Sequence, residues 1–277
     1  MSLAFIHRNP SENETELYKL AFSVFRDGFG QEKEKDGSTR PGWREYERAV
    51  AEVIGGACAE SKAIFDVLVK DDQNNLITYG ISVKSKQLPG RNAMRLLNES
   101  GRVHMELSNS PAKFWAILNQ VNLVEDDFRA MRNPELFGTT VLNTVAGWHT
   151  NTKNEFEANN RGNSLNLEES IYLTVSYSEL IDNAPRVYQI HSFPLSFPEG
   201  IRWQFISEKC LRGYDPEFPE EALFDWYGFS GGQLKYYPKA SNAIFSSSQF
   251  TLNNPPQHTI LSRIREYWPD RADHLLP

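Results

Sequence analysis

Residues 63–86 read AIFDVLVKDDQNNLITYGISVKSK. The first seven are apolar apart from Asp66, and the turn-formers Asp71-Asp72-Gln73-Asn74-Asn75 follow. From Leu76 the chain alternates: Ile77, Tyr79, Ile81 and Val83 share one phase, while Thr78, Gly80, Ser82, Lys84 and Lys86 share the other. Period two marks a strand, and two such runs around a turn predict an antiparallel pair over 63–69 and 76–86. Upstream, residues 13–28 carry Leu17, Leu20, Ala21, Val24 and Phe25 at helical spacing. Residues 29–42 are charged and turn-rich, and read as a loop. Residues 43–54 place Tyr46, Ala49, Val50, Val53 and Ile54 on one helical face, which Gly55-Gly56 ends. Downstream, 93–99 reads as helix, 103–107 as a third strand, and Ser110-Pro111 opens a helix to about Asn119. Strands are predicted at 171–177, 187–193 and 201–206, a polar loop over 150–166, and a closing helix over 259–268. The pattern predicts an α+β fold, with helices and a mixed sheet first and a β-rich half over about 141–252.

The chain has 277 residues, enough for one large core without metal or disulfide support. Nothing in it marks an internal linker, so a single domain over 1–277 is expected. Its 29 Lys and Arg against 36 Asp and Glu leave a net charge of −7. That excludes a protein coated in basic residues but permits a local basic strip. A mean hydropathy of −0.52 and the lack of any run of about 18 apolar residues predict no spanning helix and no membrane partner. The first residues show neither the basic start nor the apolar stretch of a signal peptide, so a cytoplasmic location is expected. Cys58 and Cys210 are too few for a disulfide framework and read as two buried thiols. The chain contains no phosphate-binding Gly-x4-Gly-Lys-Ser/Thr loop, no Gly-x-Gly-x-x-Gly turn and no Gly-x-Ser-x-Gly elbow. Its histidines lack zinc-like spacing; His104 and His191 read as core residues.

Asp66 is the anomaly in the first strand, because a carboxylate among apolar residues needs a partner or a metal. Lys84 lies on the polar phase of the next strand and can stand beside it. Glu47 borders the apolar stripe of the 43–54 helix, next to Val50 and Ile54, and can reach over the sheet edge. Two carboxylates and a lysine suit phosphodiester hydrolysis. A hard cation such as Mg²⁺ takes carboxylate oxygens and acidifies water, and a lysine handles the proton and the developing charge.

The run Gly42-Trp43-Arg44-Glu45-Tyr46-Glu47 opening a helix, a strand with Asp66 and a strand with Ser82-Val83-Lys84 together resemble the PD-(D/E)XK nuclease superfamily. Within it the chain is most similar to type II restriction endonucleases. That resemblance covers about residues 42–106, roughly a quarter of the chain. It implies a restriction-endonuclease-like mixed β-sheet core flanked by helices, with the catalytic core over about 42–120. It also implies Mg²⁺-dependent, sequence-specific cleavage of double-stranded DNA by a homodimer within a restriction-modification system. Asp66 would then be the metal-binding aspartate, Lys84 the catalytic lysine and Glu47 the helix glutamate. The chain departs from the motif in having Phe65 before the aspartate and Ser82 in place of the second acid. In the resemblance, the missing carboxylate comes from the following helix, where Glu99 fits, with Glu106 as the other choice. A repair or junction nuclease of the same superfamily is the alternative. A β-rich binding protein with a structural Asp66–Lys84 pair is the alternative from outside it.

Phosphate and base contacts are expected from two regions. Residues 81–120 hold Lys84, Lys86, Arg91, Arg95, Arg102 and Lys113 against Glu99 and Glu106, a local charge of +4. Groove-reading side chains are expected from 150–163, with Lys153, Asn154 and Arg161, and from the Gly-rich turn in 226–239, with Gln233 and Lys235.

Overall fold

The computed structural model describes residues 2–35, 37–59, 64–90, 92–97, 99–180, 184–229 and 232–275. Its first helix, α1 (Glu12–Ser23), starts at a capping box in which Ser11 Oγ accepts from the Glu14 N–H and Glu14 accepts from the Ser11 N–H. A two-residue hairpin follows, β1 (Glu32–Lys33) and β2 (Thr39–Arg40), inside the expected loop. Helix α2 (Trp43–Ile54) covers the predicted span and ends at Gly55, whose φ of 73° is the left-handed conformation a helix stop uses. It buries Tyr46, Ala49 and Val50, while Val53 and Ile54 are only partly buried.

Strands β3 (Ala57–Cys58), β4 (Val67–Lys70) and β5 (Ile77–Gln87) form a consecutive antiparallel meander. The predicted strand pair is present, although β4 begins four residues late; Ala63 lies outside the described residues. Next come α3 (Ala93–Leu97), β6 (Met105–Ser108), α4 (Pro111–Leu118), α5 (Glu125–Arg129) and α6 (Pro134–Asn159). The chain returns through β7 (Ser164–Leu165) to β8 (Ile171–Tyr177), which pairs parallel to β5 from Ile81↔Ile171 to Gln87↔Tyr177. A parallel neighbour needs a long crossover, and everything from α3 to α6 is that crossover. Then follow β9 (Val187–Pro194), β10 (Arg202–Ser207), β11 (Cys210–Tyr214), β12 (Ala222–Tyr227), β13 (Leu234–Tyr236), β14 (Phe245–Ser246) and β15 (Phe250–Thr251). Helices α7 (Ile260–Tyr267) and α8 (Pro269–Leu275) close the chain.

The strands form two large sheets. The central one runs β14-β9-β8-β5-β4-β3 and is mixed; the second runs β10-β11-β12-β13-β6 and is antiparallel throughout. This is the α+β class, with β6 linking the crossover to the second sheet. Both faces of the central sheet are covered. Val67, Val69, Ile81, Val83 and Leu173 pack against α1 and α2 in one core. Phe65, Tyr172 and Phe193 share the other core with Phe114, Phe137 and Trp226 from α4, α6 and the second sheet.

The largest departure from the sequence reading is α6, 26 residues long. It occupies the stretch where the β-rich half was expected to begin, and its last ten residues fill the expected 150–166 loop. Asn and Thr are weak helix formers, so local propensity argues for loop. Burial of Phe137, Val141, Val145 and His149 along one face overrides it. Smaller corrections concern single side chains. Cys58 is exposed, and Cys210 alone is buried. Ser110 precedes α4 without making a side-chain cap. No described helix is long and apolar enough to cross a membrane.

Helix α6 approaches the second sheet through Gly138, where a Cβ would collide with the Trp203 indole. Gly138→Ala is therefore expected to destabilise the fold by about 1–3 kcal/mol, the usual cost of overpacking, in urea denaturation monitored by tryptophan fluorescence.

Candidate active site

Asp66 stands where β4 leaves its partner. Its N–H donates to the Ile81 carbonyl, 3.0 Å away, and β4 runs on from there in regular pairing with β5. In the other direction Phe65 is buried, its ring lying over Gly80 and stacking on His149 with centroids 5.9 Å apart. The Val83 N–H therefore donates to Asp66 Oδ2 at 2.7 Å, and Ser82 Oγ donates to the same oxygen at 3.3 Å. Lys84 Nζ is 3.8 Å from that oxygen, with the two side chains 21% and 22% exposed. The pairing predicted from strand phase is present, and it faces water.

The pair opens into a cleft of about 640 Å³. Ile64, Asp66 and Lys84 form one wall, and the β6–α4 connection with Ser108, Asn109 and Ser110 forms the floor. The facing wall comes from α4 and α6: Lys113, Trp148, Asn151, Thr152 and Glu155. Lys113 Nζ sits 5.9 Å from the Trp148 ring centroid, which fixes a cation at the cleft wall.

Burial pushes the Asp66 carboxyl above its ordinary range, and Lys84 and the Val83 N–H pull the other way. Burial, reinforced by the negative charge of Asp66, pushes Glu47 up to about 7. Glu47 therefore shares the field of Asp66 and Lys84 from α2. His149 is pushed down to about 4, by burial first and then by Lys84, so its imidazole is neutral beside the site. Its Nε2 lies 3.2 Å from Tyr172 Oη. Across the sheet, Lys84 pairs in register with Thr174, which pairs with His191. Thr174 Oγ1 and His191 Nδ1 are buried with no hydrogen-bond partner among the described residues. The expected core histidine is thus buried, but its ring nitrogen is not satisfied.

These donors fit a hard cation. Asp66 and Glu47 could supply carboxylate oxygens, and an added positive charge would relieve the burial that holds both above their ordinary values. Among the described residues no three His, Cys, Asp or Glu side chains converge as a ligand cluster. Mg²⁺ needs no such cage, because it keeps waters and takes one or two carboxylates together with substrate oxygens.

The other sequence candidates separate into groups. Glu99 is 53% exposed and bonded to Arg95 at 2.6 Å, and neither lines the cleft. The structure therefore does not bring Glu99 to the proposed metal ligands. Glu106 stands opposite Lys235 in the β6–β13 ladder. Arg102 is committed to Asp215 and Glu221, both at 2.8 Å, and to the Tyr237 carbonyl, so it ties the second sheet together instead of waiting for phosphate. Lys153 pairs with Glu157, and Asn154 and Arg161 are exposed at the end of α6 and just beyond it; none lines the cleft. Lys86 is exposed on β5 beyond Lys84; Gln233 and Lys235 are partly buried at β13. Arg91 lies outside the described residues. Sequence reading missed Asn151, Thr152 and Glu155, whose i, i+1, i+4 spacing becomes a signal only once 150–159 is recognised as helix. Compared with known proteins, the chain matches no family model, no curated protein and no solved structure.

Glu47 gives the site a pH signature. Its folded value of about 7 stands above the ordinary 4.5, so between those values the folded state holds a proton that the unfolded chain releases. Stability contributed by this group therefore falls as pH rises through that window. In metal-free buffer Glu47→Gln is expected to melt at a higher temperature than the wild type at pH 8 and at the same temperature near pH 4. Equal melting temperatures at both pH values would contradict the environment assigned to Glu47.

Proposed function

We propose that the chain is a Mg²⁺-dependent endonuclease that hydrolyses phosphodiester bonds in double-stranded DNA at specific sites, as type II restriction enzymes do. The observation that carries this reading is the Asp66–Lys84 pair at the mouth of a cleft, with a second carboxylate, Glu47, pushed up to about 7 beside it. A perturbed acid lining an open cleft, here Asp66 with Glu47 in its electrostatic field from outside the lining, is a mark of catalytic sites. Of the cations in residues 81–120, Lys86 on β5 and Lys113 on the cleft wall have no carboxylate partner among the described residues, and they supply attraction for a polyanion that the overall −7 conceals.

In this reading Asp66 and Glu47 would hold the ion, which would supply Lewis acidity and lower the pKa of a water. Ser82 and the Val83 N–H fix the Asp66 carboxylate, so that its free oxygen has one orientation. Lys84 Nζ, paired with Asp66, donates to and orients the attacking water, whose proton leaves to solvent, and faces the negative charge gathering on the phosphoryl oxygens. Lys113, on the opposite wall, binds a non-bridging phosphate oxygen and sets the scissile group across the cleft. Water adds to phosphorus, the P–O3′ bond breaks, and a proton passes to the departing O3′. The neutral His149 and Phe65 keep the back of the site apolar. A homodimer would present two such clefts to the two strands.

One observation favours a different reading. Asp66 already accepts from Val83 N–H and Ser82 Oγ, which would suit a purely structural carboxylate in a binding protein. The two readings separate on plasmid DNA. The nuclease reading predicts discrete fragments in Mg²⁺ and none in EDTA. It also predicts a loss of about 10²-fold or more in cleavage rate for Asp66→Asn and for Lys84→Ala, with folding retained by circular dichroism. Wild-type protein that leaves DNA intact, with Asp66→Asn merely less stable, would favour the structural reading. Smeared or junction-dependent products would favour a repair nuclease.

A further inference from the structure

The outer face of the second sheet carries a feature that the cleft chemistry does not use. Side chains of β6 alternate between two surfaces: Met105 enters the core, while Glu106 faces outward opposite Lys235. In register, Lys235 stands opposite Asp225, and Asp225 opposite Arg212, giving a transverse row of alternating charge across four strands. At one side of this row lies a groove of about 390 Å³. Its lining includes His104, Arg212, Asp225 and Tyr237, with Arg102 and Glu221.

The contents of the groove define what it can take. Arg212 forms a two-point bond to Asp225 at 2.8 and 3.0 Å, and Arg102 bonds Glu221 at 2.8 Å, so its cations are balanced by carboxylates. Asp225 is buried, 4% exposed. Burial, with Lys86 and Lys235 close by, holds the His104 imidazole below its ordinary value, so the ring is uncharged at pH 7. A phosphate gains little in such a place. A flat, neutral heterocycle fits better: the His104 and Tyr237 rings, packed edge to face 5.0 Å apart, offer aromatic surface, and the bonded Arg212–Asp225 pair offers a polar, charge-balanced edge. Paired bases present only edges at the bottom of a DNA groove, so a concave pocket suits an unpaired base.

The groove and the cleft share no lining residue but stand at the two ends of one strand. Strand β6 has Ser108 on the cleft floor and is preceded by His104 in the groove. Four residues of extended chain span about 13 Å, the length of about four stacked nucleotides at 3.4 Å each. Between the two ends Lys235 stands opposite Glu106, its Nζ 4.7 Å from the Tyr227 ring centroid, and Lys86 on β5 acts on His104; neither lysine is ion-paired among the described residues. We infer that β6 and β13 form a track for a single strand leaving the cleft, with Lys86 and Lys235 on its phosphates and the His104–Tyr237 groove holding an unpaired base about four nucleotides from the scissile bond. The inference rests on the nuclease reading above and adds the unpaired strand to the substrate.

The test is fluorescence anisotropy with Ca²⁺ replacing Mg²⁺, using a labelled oligothymidylate of about 12 nucleotides and a duplex of the same length. Ala222→Phe fills the groove without removing a charge, and His104→Ala removes one ring. Each is expected to weaken oligothymidylate binding about tenfold and to change duplex binding much less, with unaltered melting temperature. Lys235→Ala is expected to weaken both ligands and to lower the salt slope by about one. Oligothymidylate affinity unchanged in both groove variants overturns the inference. So does free thymidine competing as well as the oligomer, which would make the groove a small-molecule site. Plasmid cleavage by the wild type in Mg²⁺ is measured alongside. If no cleavage occurs, the nuclease reading and this inference fall together; cleavage with groove-independent binding removes this inference alone.

Discussion

The hydrogen bond from the Val83 N–H to the Asp66 carboxylate organises the site. It replaces a backbone carbonyl with a side-chain charge at the point where β4 and β5 part. A strand that stayed paired would have covered the position where the cleft opens. Because the carboxylate satisfies the ladder, Phe65 is released to pack on His149 and Gly80, which anchors α6 to the back of the sheet. The cost is a partly buried anion, offset by Lys84, Ser82 and the amide. One residue therefore links strand divergence, helix placement and the charge balance of the cleft.

That arrangement leaves negative charge only partly compensated. Lys84 serves Asp66, while burial first and the charge of Asp66 second hold Glu47 near 7. On the proposed reading a divalent cation between the two carboxylates would relieve both and let a phosphate approach more easily. The uncharged row behind Lys84, with Thr174 and His191, adds no competing ion. On the proposed reading, binding of a divalent ion and of a polyanion would therefore be linked, which would reconcile a net charge of −7 with a nucleic-acid partner.

Sequence patterning located much of this. Helix α2 and strand β8 lie where the periodicities put them, because each buries a regular face on its own. Asp66 and Lys84 were legible because each breaks or occupies a definite strand phase, and Glu47 because it borders an apolar helical stripe. Helix α6 was not legible: its Asn- and Thr-rich end is helical only because Val145 and His149 are buried against partners from remote strands. With the helix hidden, the sequence does not place Glu155 and Asn151 on the cleft wall, nor Lys153 and Asn154 outside it. Arg102 looked like a phosphate contact because its carboxylate partners, Asp215 and Glu221, are more than a hundred residues away in the chain. Side chains whose role depends on a distant partner are the ones local pattern misassigns.

The proposed site has Asp66 and Glu47 sharing a divalent cation in front of Lys84. Electron paramagnetic resonance of free Mn²⁺, titrated into the protein at pH 8 without DNA, tests that sharing most directly. One ion is expected to bind per chain in the wild type, with binding lost or at least tenfold weaker in both Asp66→Asn and Glu47→Gln. Mn²⁺ binding that is unchanged in Asp66→Asn would contradict it.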